Sequence, residues 1–90
     1  MDGQAQRQAL SAAERALTLL GKGRGADAIE AANRAVELDQ VDIFASVPEA
    51  VMRAADELAA GGISAEGWDR LAAAVGPGPL AGLVETLRAG

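Results

Sequence analysis

Breaks in a helical pattern constrain this fold more than any other feature of the sequence. Apolar residues recur at three- and four-residue steps, which is the spacing of one helix face. Glycine, proline or a short linker interrupts them at four places: "GKGRG" at 21–25, "DQVDIFA" at 39–45, "GG" at 61–62 and "GPGP" at 76–79. Glycine and proline are the commonest interruptions of helices. The pattern predicts an all-α fold of five short helices in a single domain, residues 1–90.

The sequence allows two starts for the first helix and one for the second. The first helix runs from about residue 4 to Leu20, but Ser11 and Glu14 form an S-x-x-E capping box that would start it at Ser11 instead. Both starts remain open. The second helix is "ADAIEAANRAVEL", with Asp27 in its first turn, where a negative charge suits the helix dipole. Phe44, in the linker that follows, is predicted to anchor that linker to the core.

The last three helices carry clearer start signals. A second box, Ser46 with Glu49, and Pro48 in the first turn predict a helix from Val47. Ser64 is predicted to cap the fourth helix, which "GPGP" then ends. The residues on either side of that cap, Ile63 and Trp68, have the spacing of a hydrophobic staple. In the fifth helix Pro79 suits the first turn.

Three side chains that are frequent in catalysis are missing from the sequence, which contains no histidine, cysteine or tyrosine. A Ser-His-Asp triad, a thiol nucleophile and thiolate or imidazole metal ligands are therefore excluded. Asp39 and Asp42 are the nearest candidate for a carboxylate pair that does acid–base work. They lie in a short linker and the sequence lacks a calcium-loop pattern, so we interpret them as solvated linker acids. The sequence predicts no catalytic residue, no cofactor and no metal site.

The segment "GKGRGA" at 21–26 matches the letters of a dinucleotide-binding turn, G-x-G-x-x-A. That motif needs a strand before it and a helix after it, and only the following helix is predicted here. We interpret the segment as an interhelical turn in which Gly21 adopts the left-handed conformation and Gly23 and Gly25 add freedom. Lys22 and Arg24 then lie near the carbonyl end of the first helix. Binding of a nucleotide or small ligand by this loop is a lesser alternative.

Charge is distributed unevenly along the chain, whose net charge is −5. Four basic residues and two acidic ones precede residue 25, whereas residues 27–69 hold ten acidic residues against two basic ones. Nucleic-acid binding needs a basic face that neutralises phosphates, so this distribution disfavours it. A regulatory protein that associates with nucleic acid or with a basic protein partner stays an alternative function.

The sequence of residues 9–42 resembles one tetratricopeptide repeat, a helix-turn-helix unit of about 34 residues. The match is best in "ADAIEAANRAVELDQ", where Ala28 and Ala35 correspond to the two small residues of the family's second helix. "VELD" corresponds to its typical ending, and Gly23 falls in the turn. Arg15 and Gln40 depart from the family's apolar and proline positions. The resemblance implies an αα-hairpin, with residues 43–90 as capping or packing helices.

The resemblance also implies where a partner would bind. A single such unit does not bury its own apolar faces, since these repeats stack on neighbours. In the family the first helix of each repeat lines the ligand-facing side, and the matched positions here are Leu10, Ala13, Leu17 and Leu20. Two interpretations follow: the chain's own last helix covers them, or they form a groove for a partner's amphipathic helix.

From these observations we expect a small helical protein-protein interaction module, an adaptor or a self-associating subunit. Its expected partner-binding residues are Leu10, Ala13, Leu17 and Leu20, with Lys22 and Arg24 as a basic tip. No stretch approaches the roughly 18 apolar residues of a membrane span, and no signal-peptide pattern is seen, so we expect a cytoplasmic protein. The alanine, glycine and arginine usage favours a bacterial source.

Overall fold

Five α-helices form the regular structure of residues 2–90, the part of the chain that the computed structural model describes, with side chains from residue 3 onward. They are α1 Asp2–Gly21, α2 Gly25–Leu38, α3 Val47–Ala60, α4 Ala65–Val75 and α5 Pro79–Ala89. No strand occurs within this described part. The prediction of an all-α fold with five helices is therefore confirmed.

The start of α1 lies well before the capping box at Ser11. Ser11 is an exposed residue in the middle of this helix, so the alternative start at Ser11 is wrong. The reason is packing: Ala9 is fully buried and continues the apolar face toward the N-terminus. Burial of that face favours helix on both sides of Ser11, where a local capping signal alone favours a start.

The predicted starts of α3 and α4 are confirmed, although their serines act differently. Ser64 has extended backbone, and its hydroxyl oxygen accepts a hydrogen bond of 3.0 Å from the N–H of Gly67. Ser46 has helical backbone angles, and its side chain makes no capping hydrogen bond. Pro48 lies in the first turn of α3 as predicted. The third helix is therefore started by proline and backbone geometry without a side-chain cap.

Small side chains dominate the contact between α1 and α2, which form an antiparallel hairpin. Ala9, Ala13 and Ala16 of α1 and four alanines of α2 are buried: Ala28, Ala31, Ala32 and Ala35. Because the separation of packed helices depends on the side chains between them, alanine lets these two backbones approach closely. Phe44 is also buried, at 3% exposed, so its predicted anchoring of the linker is confirmed.

The remaining helices complete the core around this hairpin. Helix α3 packs on α2 and α1, α4 packs on α3, and α5 contacts both α4 and α1. Their buried side chains are larger than alanine in most cases: Val47 and Val51 from α3, Leu71 from α4, and Leu80 and Val84 from α5. The chain thus returns to its first helix, and the two ends of the sequence share one core.

Candidate docking groove

Three of the predicted partner-binding residues lie inside the chain's own core. Ala13 and Leu17 are fully buried, and Leu20 is 1% exposed. Helices α2, α3 and α5 all contact α1, so the chain itself covers this face. The expectation that these three residues form an open groove for a partner is wrong for this fold. Leu10, the fourth, stays partly exposed.

The predicted basic tip is exposed at the turn between α1 and α2. Arg24 pairs with Asp27 at 2.6 Å, and Lys22 is exposed. Gly23 is the residue with positive φ, +79°, whereas Gly21 is the last residue of α1. The prediction of a left-handed Gly21 is therefore wrong. Gly21 instead serves close packing, since a Cβ atom built there would lie 2.7 Å from a methyl carbon of Leu87 in α5.

A different concave surface lies at the opposite end of α1. It has a volume of about 580 Å³ and is formed by the start of α1, the α2–α3 loop and the α4–α5 loop. We call it the loop groove. Its apolar lining residues are Leu10, Ile43, Phe44, Ala73, Ala74, Val75, Pro77, Pro79 and Leu80, with glycine at 76 and 78, and its polar ones are Gln6, Arg7 and Ser46. Mostly apolar concavities with few polar groups are the usual shape of binding sites.

The α2–α3 loop is held by one carboxylate, that of Asp39. Its Oδ1 accepts hydrogen bonds from the Gln6 side chain at 2.9 Å and from the Val41 N–H at 3.2 Å. Its Oδ2 accepts a hydrogen bond of 2.7 Å from the N–H of Phe44. Gln6 also accepts a hydrogen bond from the N–H of Gln40 through its Oε1 at 2.9 Å. Asp39 is thus a partly exposed linker acid whose carboxylate also holds the loop, a role that was not predicted.

The titration of Asp39 reflects these contacts. Partial burial raises its pKa, but the hydrogen bonds from the Phe44 N–H, the Gln6 side chain and the N–H groups of Val41 and Asp42 outweigh burial. The net result is a pKa below the ordinary value of an aspartate. Hydrogen bonds donated to a carboxylate favour its charged form, so Asp39 holds the loop most strongly when it is ionised.

The clamped loop presents two large apolar side chains to solvent. Val41 is 62% exposed and Ile43 is 56% exposed, while Phe44 beside them enters the core. Between them, Asp42 has a φ of +63°, which is uncommon for a residue other than glycine and is best tolerated by asparagine and aspartate. The loop therefore combines a fixed backbone with exposed apolar tips at the edge of the groove.

The groove contains one charged group among its described lining residues, Arg7. Its Nε donates a hydrogen bond of 3.2 Å to the carbonyl oxygen of Gly3 in the same helix. Within residues 3–90, the ion pairs involve Arg24, Arg34, Arg53, Arg70 and Arg88, and do not include Arg7. The groove thus offers apolar surface together with a positive charge that forms no ion pair with the side chains of residues 3–90.

The remaining surface of the described chain has one other hollow of similar size, which is more polar. A second hollow of about 610 Å³ on the outer face of the α1–α2 hairpin is lined largely by polar side chains, among them Glu14, Arg15, Lys22 and Arg34. Among the described residues, no group of three or more potential metal ligands occurs. Within the same residues, no helix has the length and apolar character needed to cross a membrane.

No pattern in the sequence predicts the loop groove as a site. Its two loops lack apolar periodicity, and only the adjacency of Val41 and Ile43 in a short linker hinted at exposed apolar side chains. Helix α1 supplies the one predicted residue that does line the groove, Leu10. Comparison of the chain with protein-family models, curated proteins and solved structures found no match.

Proposed function

We propose that this chain is a small helical interaction module that binds an apolar protein segment in the loop groove. One observation carries the proposal: an apolar groove of about 580 Å³ with a rigidly held loop beside it, from which Val41 and Ile43 project. Apolar patches at the rim of a concavity commonly mark interaction sites on small proteins. The role proposed is binding, since the groove holds no pair of titratable groups among its described residues.

In this proposal α1 and α2 form a tetratricopeptide-like hairpin, but the binding surface is the loop groove and not the apolar face of α1. The antiparallel packing of α1 on α2 and the burial of Ala28, Ala32 and Ala35 support one such unit. Helices α3 to α5 then take the place of neighbouring repeats, which explains why the face of α1 is covered. The proposed partner surface lies instead at the loops, at the end of the hairpin opposite the α1–α2 turn.

A pair of matched substitutions tests the proposal. Ile43→Asp places a charge on the groove rim, and Met52→Asp places one on an exposed apolar residue of α3 that does not line the groove, itself 48% exposed. Neither side chain is buried, so circular dichroism of both variants should match that of the unmodified chain. Each purified chain is immobilised and challenged with native cell extract, and the retained proteins, including copies of the chain, are identified by mass spectrometry.

The expected result is selective loss. The unmodified chain and Met52→Asp retain the same protein, and Ile43→Asp retains at least about tenfold less of it, because a buried unpaired charge opposes binding. Equal retention by all three chains contradicts the proposed site. Retention of nothing by the unmodified chain, together with a monomer at every concentration, contradicts the proposed function.

A further inference from the structure

The loop groove and its rim form a surface that is complementary to itself. Ile43 lines the groove and also projects from its edge, next to the exposed Val41. A projection and a recess of the same apolar character therefore lie side by side on one face. A two-fold interface between identical chains needs this arrangement, because each chain must offer both the group that inserts and the surface that receives it.

The groove and the loop beside it also carry opposite charges. Arg7 lines the groove, and Asp42 lies on the loop between Val41 and Ile43. Among the described side chains, neither residue takes part in an ion pair, although five other arginines do. When two copies face each other around a two-fold axis, Arg7 of each chain can meet Asp42 of the other. A two-fold dimer would therefore contain two Arg7–Asp42 ion pairs.

The net charge of the chain makes this local match more significant. At −5, two copies repel each other at long range, so random contact between them is disfavoured. The positive charge of Arg7 offsets the negative charge of Asp42, so these two residues together add no net charge to that repulsion. The strength of any self-association at this face should therefore respond to charge reversal at either residue.

The backbone of the loop is already arranged for contact. Asp39 accepts hydrogen bonds from Val41 and Phe44, and Asp42 is held at a φ of +63°. A loop that is ordered before binding loses less conformational entropy when it binds. The exposed positions of Val41 and Ile43 are therefore set in the free chain.

We propose that the occupant of the loop groove is a second copy of this chain. Val41 and Ile43 of each copy enter the groove of the other, and Asp42 of each copy pairs with Arg7 of the other. This inference rests on the proposed function, since it names the partner of the same groove. The contact surface is limited to one groove and one loop, and small interfaces bind weakly, so the dimer is expected to form in the micromolar range or above.

A charge-swap mixture tests the inference. Arg7→Glu and Asp42→Arg are purified separately, and sedimentation equilibrium is measured for each, for their equimolar mixture and for the unmodified chain. In a two-fold pairing each variant alone brings two like-charged pairs together, so its dimer dissociation constant should rise at least about tenfold. In the mixture, the acid introduced at position 7 faces the base introduced at position 42, and the native Arg7 and Asp42 form the second pair. Heterodimers should therefore form about as tightly as the unmodified dimer.

The mixture also separates pairing from damage to the loop. Arginine tolerates a positive φ less well than aspartate, so Asp42→Arg alone could lose dimerisation through its backbone, but such damage would not be repaired by adding the other variant. Met52→Asp is the control and should dimerise normally. A mixture no more associated than its components overturns the inference, and so does a folded, unmodified chain that stays monomeric at every concentration. If that monomer still captures another protein in an Ile43-dependent way, only self-pairing fails and the proposed function stands.

Discussion

Asp39 accepts a 2.7 Å hydrogen bond from the N–H of Phe44, and this contact joins the exposed loop to the core. Phe44 is buried among core residues, while Asp39 is the first residue after α2. The carboxylate thus fixes the loop from its start to its buried anchor, with Val41 and Ile43 between them. A side chain that does not itself line the loop groove thus holds the loop that forms one of its walls.

Replacement of Asp39 by alanine should loosen this loop and destabilise the chain. The change removes an acceptor from two backbone N–H groups and from the Gln6 side chain. Hydrogen bonds to charged groups contribute about 1.5–3 kcal/mol when well formed; because Asp39 is partly exposed, we expect a loss of about 1 kcal/mol. That loss lowers the melting temperature by about 4–8 °C for a chain of this size, measurable by circular dichroism.

Asp56→Asn is a suitable control for that substitution. Asp56 is an exposed carboxylate of α3, and surface changes of this kind usually alter stability by less than about 0.5 kcal/mol. Equal melting temperatures for Asp39→Ala and Asp56→Asn would show that the Asp39 hydrogen bonds do not stabilise the loop.

The lowered pKa values of Asp39 and Glu57 predict how the stability of the chain depends on pH. The N–H and hydroxyl of Ser64 donate hydrogen bonds to Glu57 and lower its pKa, with a further contribution from Arg70 against the opposing effect of burial. Both Glu57 and Asp39 have folded-state pKa values below their ordinary ones. Their stabilising effect is therefore fully present above the ordinary carboxyl values of about 4 and is lost as pH falls through the lowered folded values.

Melting temperature measured against pH checks this. We expect little change between about pH 7 and pH 5, since the chain has no histidine to titrate there, and a decline below about pH 4. The double variant Asp39→Asn with Glu57→Gln should melt at a lower temperature at neutral pH and decline less on acidification. A parallel acid decline in both chains would show that other carboxylates dominate.

Helix positions could be predicted from the sequence where the signal is local. Pro48 and Pro79 mark helix starts through their fixed φ angle, and Ser64 marks one through its hydroxyl, so α3, α4 and α5 begin where predicted. Two local signals predicted the wrong position. Burial of Ala9 extends α1 past the box at Ser11, and the left-handed glycine is Gly23, since α1 ends with hydrogen bonds from the N–H of Gly23 to Leu20 and from that of Arg24 to Leu19.

Ion pairs show the same limit. Spacing of i,i+4 indicates three pairs within helices: Glu30 with Arg34, Glu49 with Arg53 and Glu66 with Arg70. Glu49 and Arg53 pair as their i,i+4 spacing indicates, at 3.2 Å. Arg34 pairs with Glu37 instead of with the acid four residues before it, and Arg70 lies 3.9 Å from Glu57 of another helix. Spacing within a helix indicates which charges can meet, but exposed side chains choose among several partners of similar energy.

The candidate site could be predicted less well than the helices, because it is formed by residues that are distant in the sequence. Periodicity identified the apolar face of α1 correctly but does not specify what covers it, and α5 is more than fifty residues away in the chain. The loop groove joins residues near 7, 43 and 77, and no local pattern relates them. Asp39 appeared as an ordinary linker acid because its hydrogen-bond donors include Gln6, 33 residues distant.

Two leucines of α1, both predicted to bind a partner, should respond differently to replacement by alanine. Leu17 is fully buried, whereas Leu10 lines the loop groove and is partly exposed. Leu17→Ala should destabilise the chain by about 2–5 kcal/mol, the usual loss for a buried leucine. Leu10→Ala should cost less stability and weaken association through the groove. Chemical denaturation and sedimentation equilibrium measure the two effects, and a reversed order would place the binding face on the buried side of α1 after all.

Two glycines inside helices should respond oppositely to replacement by alanine. A Cβ atom at Gly67 of α4 would lie 2.9 Å from the Ile63 side chain and would also strike Glu57, whose carboxylate is held by Ser64. Gly67→Ala should therefore destabilise the chain, by about 1–3 kcal/mol for an overpacked site. At Gly82 of α5 nothing lies within 4 Å of such a Cβ atom, so Gly82→Ala should stabilise by about 0.5–1 kcal/mol through helix propensity alone. Urea denaturation of both variants measures the difference, and a stabilising Gly67→Ala would mean that the contact between α3 and α4 yields more readily than the Glu57 and Ser64 hydrogen bonds imply.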